Sequence, residues 1–255
     1  MNSVNVEVNN LTIQCKERLL VDNTSFSLNQ GDVVLLEGNN GTGKTTLLKA
    51  LIGIRDKGIS CNGEVNIAGF SNILSMKESD LLRLRSNIGY LEQKDPYDMY
   101  YGITVKDVLA DSLEAKKNAK LNKDDYKYVE CTFNKYVPPE TRITLKSKVN
   151  KLSGGQQRIV SIIASLCLRQ ESRLFIIDEP LNNLDINAIV HISNMLNKIR
   201  IDNPNATLII VSHCKIFPFI SKVATIDNGK IVVSEEGVVC NACFGNADAD
   251  GFYIL

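Results

Sequence analysis

Three short clusters in this chain have residue types and spacing suited to phosphate chemistry. The first is the loop Gly38-Asn39-Asn40-Gly41-Thr42-Gly43-Lys44-Thr45, which runs into Thr46. Its glycines let backbone N–H groups turn inward and approach a triphosphate. A helix starting there adds partial positive charge, Lys44 can reach the β- and γ-phosphates, and the Thr45 hydroxyl can hold Mg²⁺. The second cluster is Leu174-Phe175-Ile176-Ile177-Asp178-Glu179-Pro180, an apolar run that ends in two acids. Asp178 suits Mg²⁺, usually through water, because a hard, well-hydrated cation needs only one or two carboxylates. Glu179 would face the γ-phosphate and can polarise an attacking water. The third is Leu152-Ser153-Gly154-Gly155-Gln156-Gln157, where small residues and a hydroxyl again precede an apolar-periodic stretch. Ser153 can both cap that helix and donate to a phosphate, with the backbone of Gly154, Gly155 and Gln156 beside it.

Each cluster needs an element that aims it. Val33 to Leu36 read as a buried parallel strand, and Thr46, Leu47, Leu48, Ala50, Leu51 and Ile52 suit a packed helix, so the first loop sits at a strand-to-helix turn. Leu174 to Ile177 read as a central strand whose carboxyl end presents the acids, where open α/β sheets bind ligands. Short alternating runs at Val4 to Val8, Ser25 to Leu28 and Cys61 to Phe70 predict an antiparallel layer. Charged, helix-prone runs at Val105 to Lys120 and Tyr126 to Tyr136, with a break at Pro138-Pro139, predict a helical insertion. The class is therefore α/β, a single domain with a core of about 1–93 and 151–255 and a helical subdomain of about 94–150.

Composition bounds the function without choosing it. The 255 residues are 44% hydrophobic, enough for a sizeable core, and 29 basic residues balance 29 acidic ones. Zero net charge implies no global attraction to nucleic acid or anionic lipid, and no nucleic-acid partner is expected. The start of the chain lacks the basic and apolar regions of a secretory signal, which implies a cytosolic location. The most apolar helical candidate, Ile159 to Leu168, is far short of the ~20 residues a membrane span needs. Seven scattered cysteines argue against a secreted disulfide framework. Cys240 and Cys243 form one C-x-x-C pair with no second pair, and the tail from Glu236 reads as a simple extension.

One triphosphate rarely needs two phosphate-binding helix ends from the same subunit, and the stretch Leu152 to Gln156 resembles the signature sequence of ABC ATPases. Further positions follow in that family's order over about residues 4 to 233. Gln93, in Gly89-Tyr90-Leu91-Glu92-Gln93, is similar to the glutamine loop that contacts Mg²⁺; Asn182-Asn183-Leu184-Asp185 resembles the loop that crosses the dimer interface. His213 resembles the switch histidine that contacts the γ-phosphate. The resemblance implies a P-loop NTPase core that binds and hydrolyses ATP with Mg²⁺. It implies two antiparallel subunits, as a homodimer or heterodimer, sandwiching two ATP molecules between one subunit's phosphate loop and the other's signature. It also implies a transmembrane partner and a peripheral position at the cytoplasmic face. A soluble single-cassette ATPase of cofactor or cluster assembly is the alternative. Catalysis would fall to Lys44, Gln93, Glu179 and His213, metal binding to Thr45, Gln93 and Asp178, and Asp185 would join the nucleotide contacts. One position departs from the pattern: the family usually places an aromatic side chain near Cys15 to stack on adenine, and Ile13 to Arg18 holds none.

Overall fold

The computed structural model describes residues 3–95, 97, 101–169, 171–213 and 216–235. Two sheets form its frame. Strands β1 (Val4–Cys15), β2 (Arg18–Asn29) and β4 (Ile59–Ile67) make an antiparallel layer in the order β2-β1-β4. The second sheet is six-stranded, ordered β5-β6-β7-β3-β8-β9: β3 (Val33–Glu37), β5 (Ile88–Leu91), β6 (Leu174–Asp178), β7 (Thr207–Val211), β8 (Lys222–Asp227) and β9 (Lys230–Ser234). It is parallel except at its edge, where β9 folds back on β8 through the Asn228-Gly229 turn. The antiparallel layer and the parallel sheet match the sequence expectation, and the antiparallel edge adds to it.

The apolar runs are continuous because the central sheet is covered on both faces. Val34 and Leu36 of β3, Leu174 and Ile176 of β6, and Ile209 and Val211 of β7 point into a core shared with the antiparallel layer and helices α1 (Lys44–Leu51) and α2 (Glu78–Ser86). Alternate residues, Val33, Phe175, Ile177, Leu208 and Ile210, face a second core. That one is shared with α3 (Val105–Lys117), α4 (Lys123–Tyr136), α5 (Gly154–Ser165) and α6 (Ile186–Asp202). Period-2 geometry sends one strand's residues to both sides.

Helices α3 and α4 occupy the stretch read as an insertion. α3 begins at a capping box in which the Thr104 hydroxyl accepts from the Asp107 N–H and Asp107 reaches back to the Thr104 N–H. α4 starts at Lys123, earlier than periodicity suggested, because the Asn122 side chain accepts from the N–H groups of Asp124 and Asp125. Among the described residues no helix is long and apolar enough to cross a membrane.

Candidate active site

Parallel strands put their carboxyl ends on one edge, and four neighbours in the sheet, β5, β6, β7 and β3, deliver the predicted groups there. β5 leads to Gln93, β6 ends at Asp178 and Glu179, β7 leads to His213, and β3 leads into the loop 38–45. Residues far apart in sequence thus line one cleft of about 300 Å³, among them Lys44, Thr45, Gln93, Asp178, Glu179 and His213. Asn40, Gly41, Gly43 and Thr46 line it too.

The loop's turns explain its glycines. Gly43 (φ 97°) is left-handed at the N-cap of α1, and Gly41 (φ 78°) is left-handed as well. A Cβ at Gly38 would lie 3.0 Å from the Ile226 carbonyl oxygen and 2.9 Å from Thr42 Oγ1. The Thr42 hydroxyl donates to the Asn39 carbonyl at 2.9 Å, closing the loop. The Lys44 ammonium donates to the carbonyls of Gly38 at 2.7 Å and Asn39 at 3.2 Å. Its charge is therefore held across the loop's mouth by neutral oxygens.

At the end of the loop, Thr45 Oγ1 donates to Asp178 Oδ2 at 2.8 Å. The other oxygen, Asp178 Oδ1, is buried without a hydrogen-bond partner among the described residues. Burial pushes the Asp178 carboxyl up from the ordinary carboxylate range, against the Thr45 hydrogen bond and the charges of Arg158 and Lys44. Glu179 is raised too, first by burial, with His213 opposing. Its Oε1 lies 3.2 Å from His213 Nε2, an ion pair when the imidazole is protonated. Glu179 also has left-handed backbone (φ 48°), a strained conformation for a residue with a side chain, of the kind that gathers at functional sites. Its N–H donates to the Val211 carbonyl at 3.0 Å, which extends the β6–β7 ladder by one bond and fixes where the carboxylate points.

The third cluster lies apart from this cleft: none of Ser153, Gly154, Gly155 and Gln156 lines it, nor does Asp185. Ser153 caps α5 in a reciprocal box, its Oγ accepting from the Gln156 N–H at 3.3 Å while Gln156 Oε1 accepts from the Ser153 N–H at 2.9 Å. Asp185 caps α6 by accepting from the Ala188 N–H at 2.9 Å. A Cβ at Gly155 would lie 2.7 Å from Ala188 Cβ, whereas one at Gly154 meets nothing within 4 Å. The two glycines should respond oppositely in thermal melts. Gly155→Ala is expected to destabilise the fold by about 1–3 kcal/mol through overpacking. Gly154→Ala should stabilise it by about 0.5–1 kcal/mol through helix propensity and chain entropy.

Sequence reasoning missed Arg158, which is 3% exposed. Its guanidinium donates to the carbonyls of Glu92 (2.6 Å), Asp178 (2.9 Å), Glu179 (3.0 Å) and Pro180 (3.2 Å), and pairs with the Asp95 carboxylate at 3.0 Å. One side chain on α5 therefore braces the end of β6 and the segment carrying Gln93. The available signal was a cation inside an apolar helical stretch, which only buried partners can compensate. Arg158→Leu should cost about 3–5 kcal/mol of stability by stranding the Asp95 charge and four carbonyls. Arg158→Lys, which keeps the charge but cannot fork, should stay folded and lose at least about tenfold in kcat with little change in KM, because it loosens Glu179 more than the phosphate loop. Thermal melts and steady-state kinetics of both variants check this.

Residues 21–182, more than half the chain, match the family model described as ABC transporter. This chain belongs to the ABC transporter family. As a member it is an ATP-binding, ATP-hydrolysing transporter subunit of α/β fold. The chain is 30% identical over 217 residues to the manganese transport system ATP-binding protein MntB of Listeria monocytogenes, a match covering 82% of this chain and 80% of that protein. It is 30% identical over 216 residues to the zinc uptake system ATP-binding protein ZurA of Listeria innocua, covering 84% and 77%. Among solved structures, cbiO1 of Clostridium perfringens, part of the ABC transporter complex cbiONQ, superposes with a TM-score of 0.73 at 23% identity over 92% of this chain and 89% of that one, a likeness of fold. Cys240 and Cys243, with the tail from Glu236, lie outside the described residues.

Proposed function

We propose that this ABC family ATPase works from the cytoplasmic face as one of a pair of cassettes, homodimeric or heterodimeric, driving uptake through a separate transmembrane protein. The carrying observation is the contact between Thr45 Oγ1 and Asp178 Oδ2, with Asp178 Oδ1 buried and unpartnered beside it. A desolvated carboxylate oxygen next to a hydroxyl, with Gln93 lining the same cleft, fits a hydrated Mg²⁺. Thr45, Asp178 and Gln93 would hold that ion, which when bound neutralises phosphate charge. Lys44 would exchange its loop carbonyls for the β- and γ-phosphates. Glu179 would accept a proton from the attacking water, and His213 would orient Glu179 and contact the γ-phosphate. Placing Ser153 to Gln156 outside the cleft favours a site completed by a second subunit, with Asp185 near the same junction. The relatives named for manganese transport and zinc uptake support import as the direction.

The partner is tested by purifying tagged chain from detergent-solubilised membranes. A retained integral membrane protein that raises the ATP turnover rate is the expected result. Recovery of the chain only from the soluble fraction, with turnover that no membrane fraction stimulates, would instead favour a soluble assembly ATPase.

A further inference from the structure

The cleft has a direction. Asp178, Glu179, Gln93 and His213 supply the hydrolytic groups of the cleft, which leaves the nucleoside the remaining lining residues, among them Asn40, Gly41 and the β2 residue Leu20. No Phe, Tyr or Trp lines it among the described residues, and its one ring, His213, is engaged with Glu179. Leu20 packs against the loop there: a Cβ at Gly43 would sit 3.1 Å from Leu20 Cβ. Two residues earlier on the same strand, across a bulge at Leu20, is Arg18. Its Nη1 lies 3.9 Å from where a Cβ at Gly41 would be. Arg18 is exposed and makes no hydrogen bond or ion pair with another described residue. Across the β1–β2 ladder its partner is Cys15, which is half-buried and places no ring there.

We infer that Arg18 is the residue that holds the nucleotide base: its guanidinium stacks on the purine face, beside the apolar side chain of Leu20, in place of an aromatic ring. The assignment rests on reading this cleft as the ATP site. The phosphates already have Lys44, the loop N–H groups and the N-terminus of α1, whereas on the nucleoside side Leu20 lines the cleft and the Arg18 guanidinium stands against Gly41 at its margin. A guanidinium matches a π face both by charge and by shape. Any purine presents that face, so discrimination between ATP and GTP should be weak.

Equilibrium dissociation constants for Mg·ATP and for Mg·ribose 5-triphosphate, which lacks the base, test this on the full chain. Arg18→Ala should weaken ATP binding about two- to fivefold, the size of a cation–π contact at an exposed site, and leave ribose 5-triphosphate unchanged. Arg18→Tyr, planar but neutral, should bind ATP at least as tightly as the parent. Equal weakening of both ligands in Arg18→Ala would make Arg18 a phosphate contact and overturn the inference, as would no change in either. Lys44→Ala separates this from the underlying reading. If it leaves both constants at the parent value, the ATP site itself is misplaced.

Discussion

Glu179→Gln protein is expected to bind ATP with near-parent affinity and to hydrolyse it at least about a hundredfold more slowly, the range a positioned general base contributes. The substitution keeps the side chain's shape and its place at the end of β6. It also keeps an oxygen toward His213, whose Nε2 stands 3.2 Å from the present carboxylate. Only the basicity that draws a proton from water is lost. Because burial raises the Glu179 carboxyl, with His213 opposing, the group is a stronger base than an exposed glutamate. Steady-state turnover and equilibrium ATP binding, measured on one preparation, separate the two effects. Equal loss of binding and turnover would mean that Glu179 serves affinity and not chemistry.

Lys44→Ala should fail earlier, losing ATP affinity about tenfold or more together with turnover, while its melting temperature stays close to the parent's. Apart from His213, Lys44 is the one basic side chain among the described residues lining the cleft; its ammonium hydrogen-bonds two loop carbonyls and its charge also favours the ionised Asp178 and Glu179 carboxylates. Among the described residues Lys44 forms no ion pair with a carboxylate, and Asp178 keeps its Thr45 hydrogen bond without it, so the fold should tolerate the change. The negative charge of a bound triphosphate would then have only backbone dipoles to meet it at that point. Hydrolysis at the parent rate in this variant would remove the loop from the active site.

The loop at 38–45 and the acids at 178 and 179 were legible because their chemistry depends on local order, a strand followed at once by a turn or a helix. Gln93 and His213 carry no such local signal. Singly they are ordinary polar residues, and their place in the cleft comes from β5 and β7 flanking β6 in the parallel sheet. Arg158 stayed hidden for a related reason. Its role lies in five contacts with segments 20 and more residues away in sequence, which no spacing rule encodes. Gly155 shows a different limit: a Gly-Gly pair before a helix suits an anion, but the tight approach of Ala188 on α6 is by itself a reason for the second glycine, which the sequence does not reveal. α4 begins before the apolar stripe that periodicity detects, because its cap, Asn122, precedes that stripe.

An ATPase site completed by two subunits is tested by sizing Glu179→Gln protein by light scattering with saturating Mg·ATP and, separately, with Mg·ADP. With hydrolysis blocked, ATP should shift the chain from monomer to dimer, ADP should leave it monomeric, and a further Ser153→Arg change should abolish the ATP-dependent dimer by placing bulk at the α5 N-terminus. An ATP-saturated Glu179→Gln chain that stays monomeric at high concentration, or a dimer formed equally with ADP and with Ser153→Arg, would contradict it.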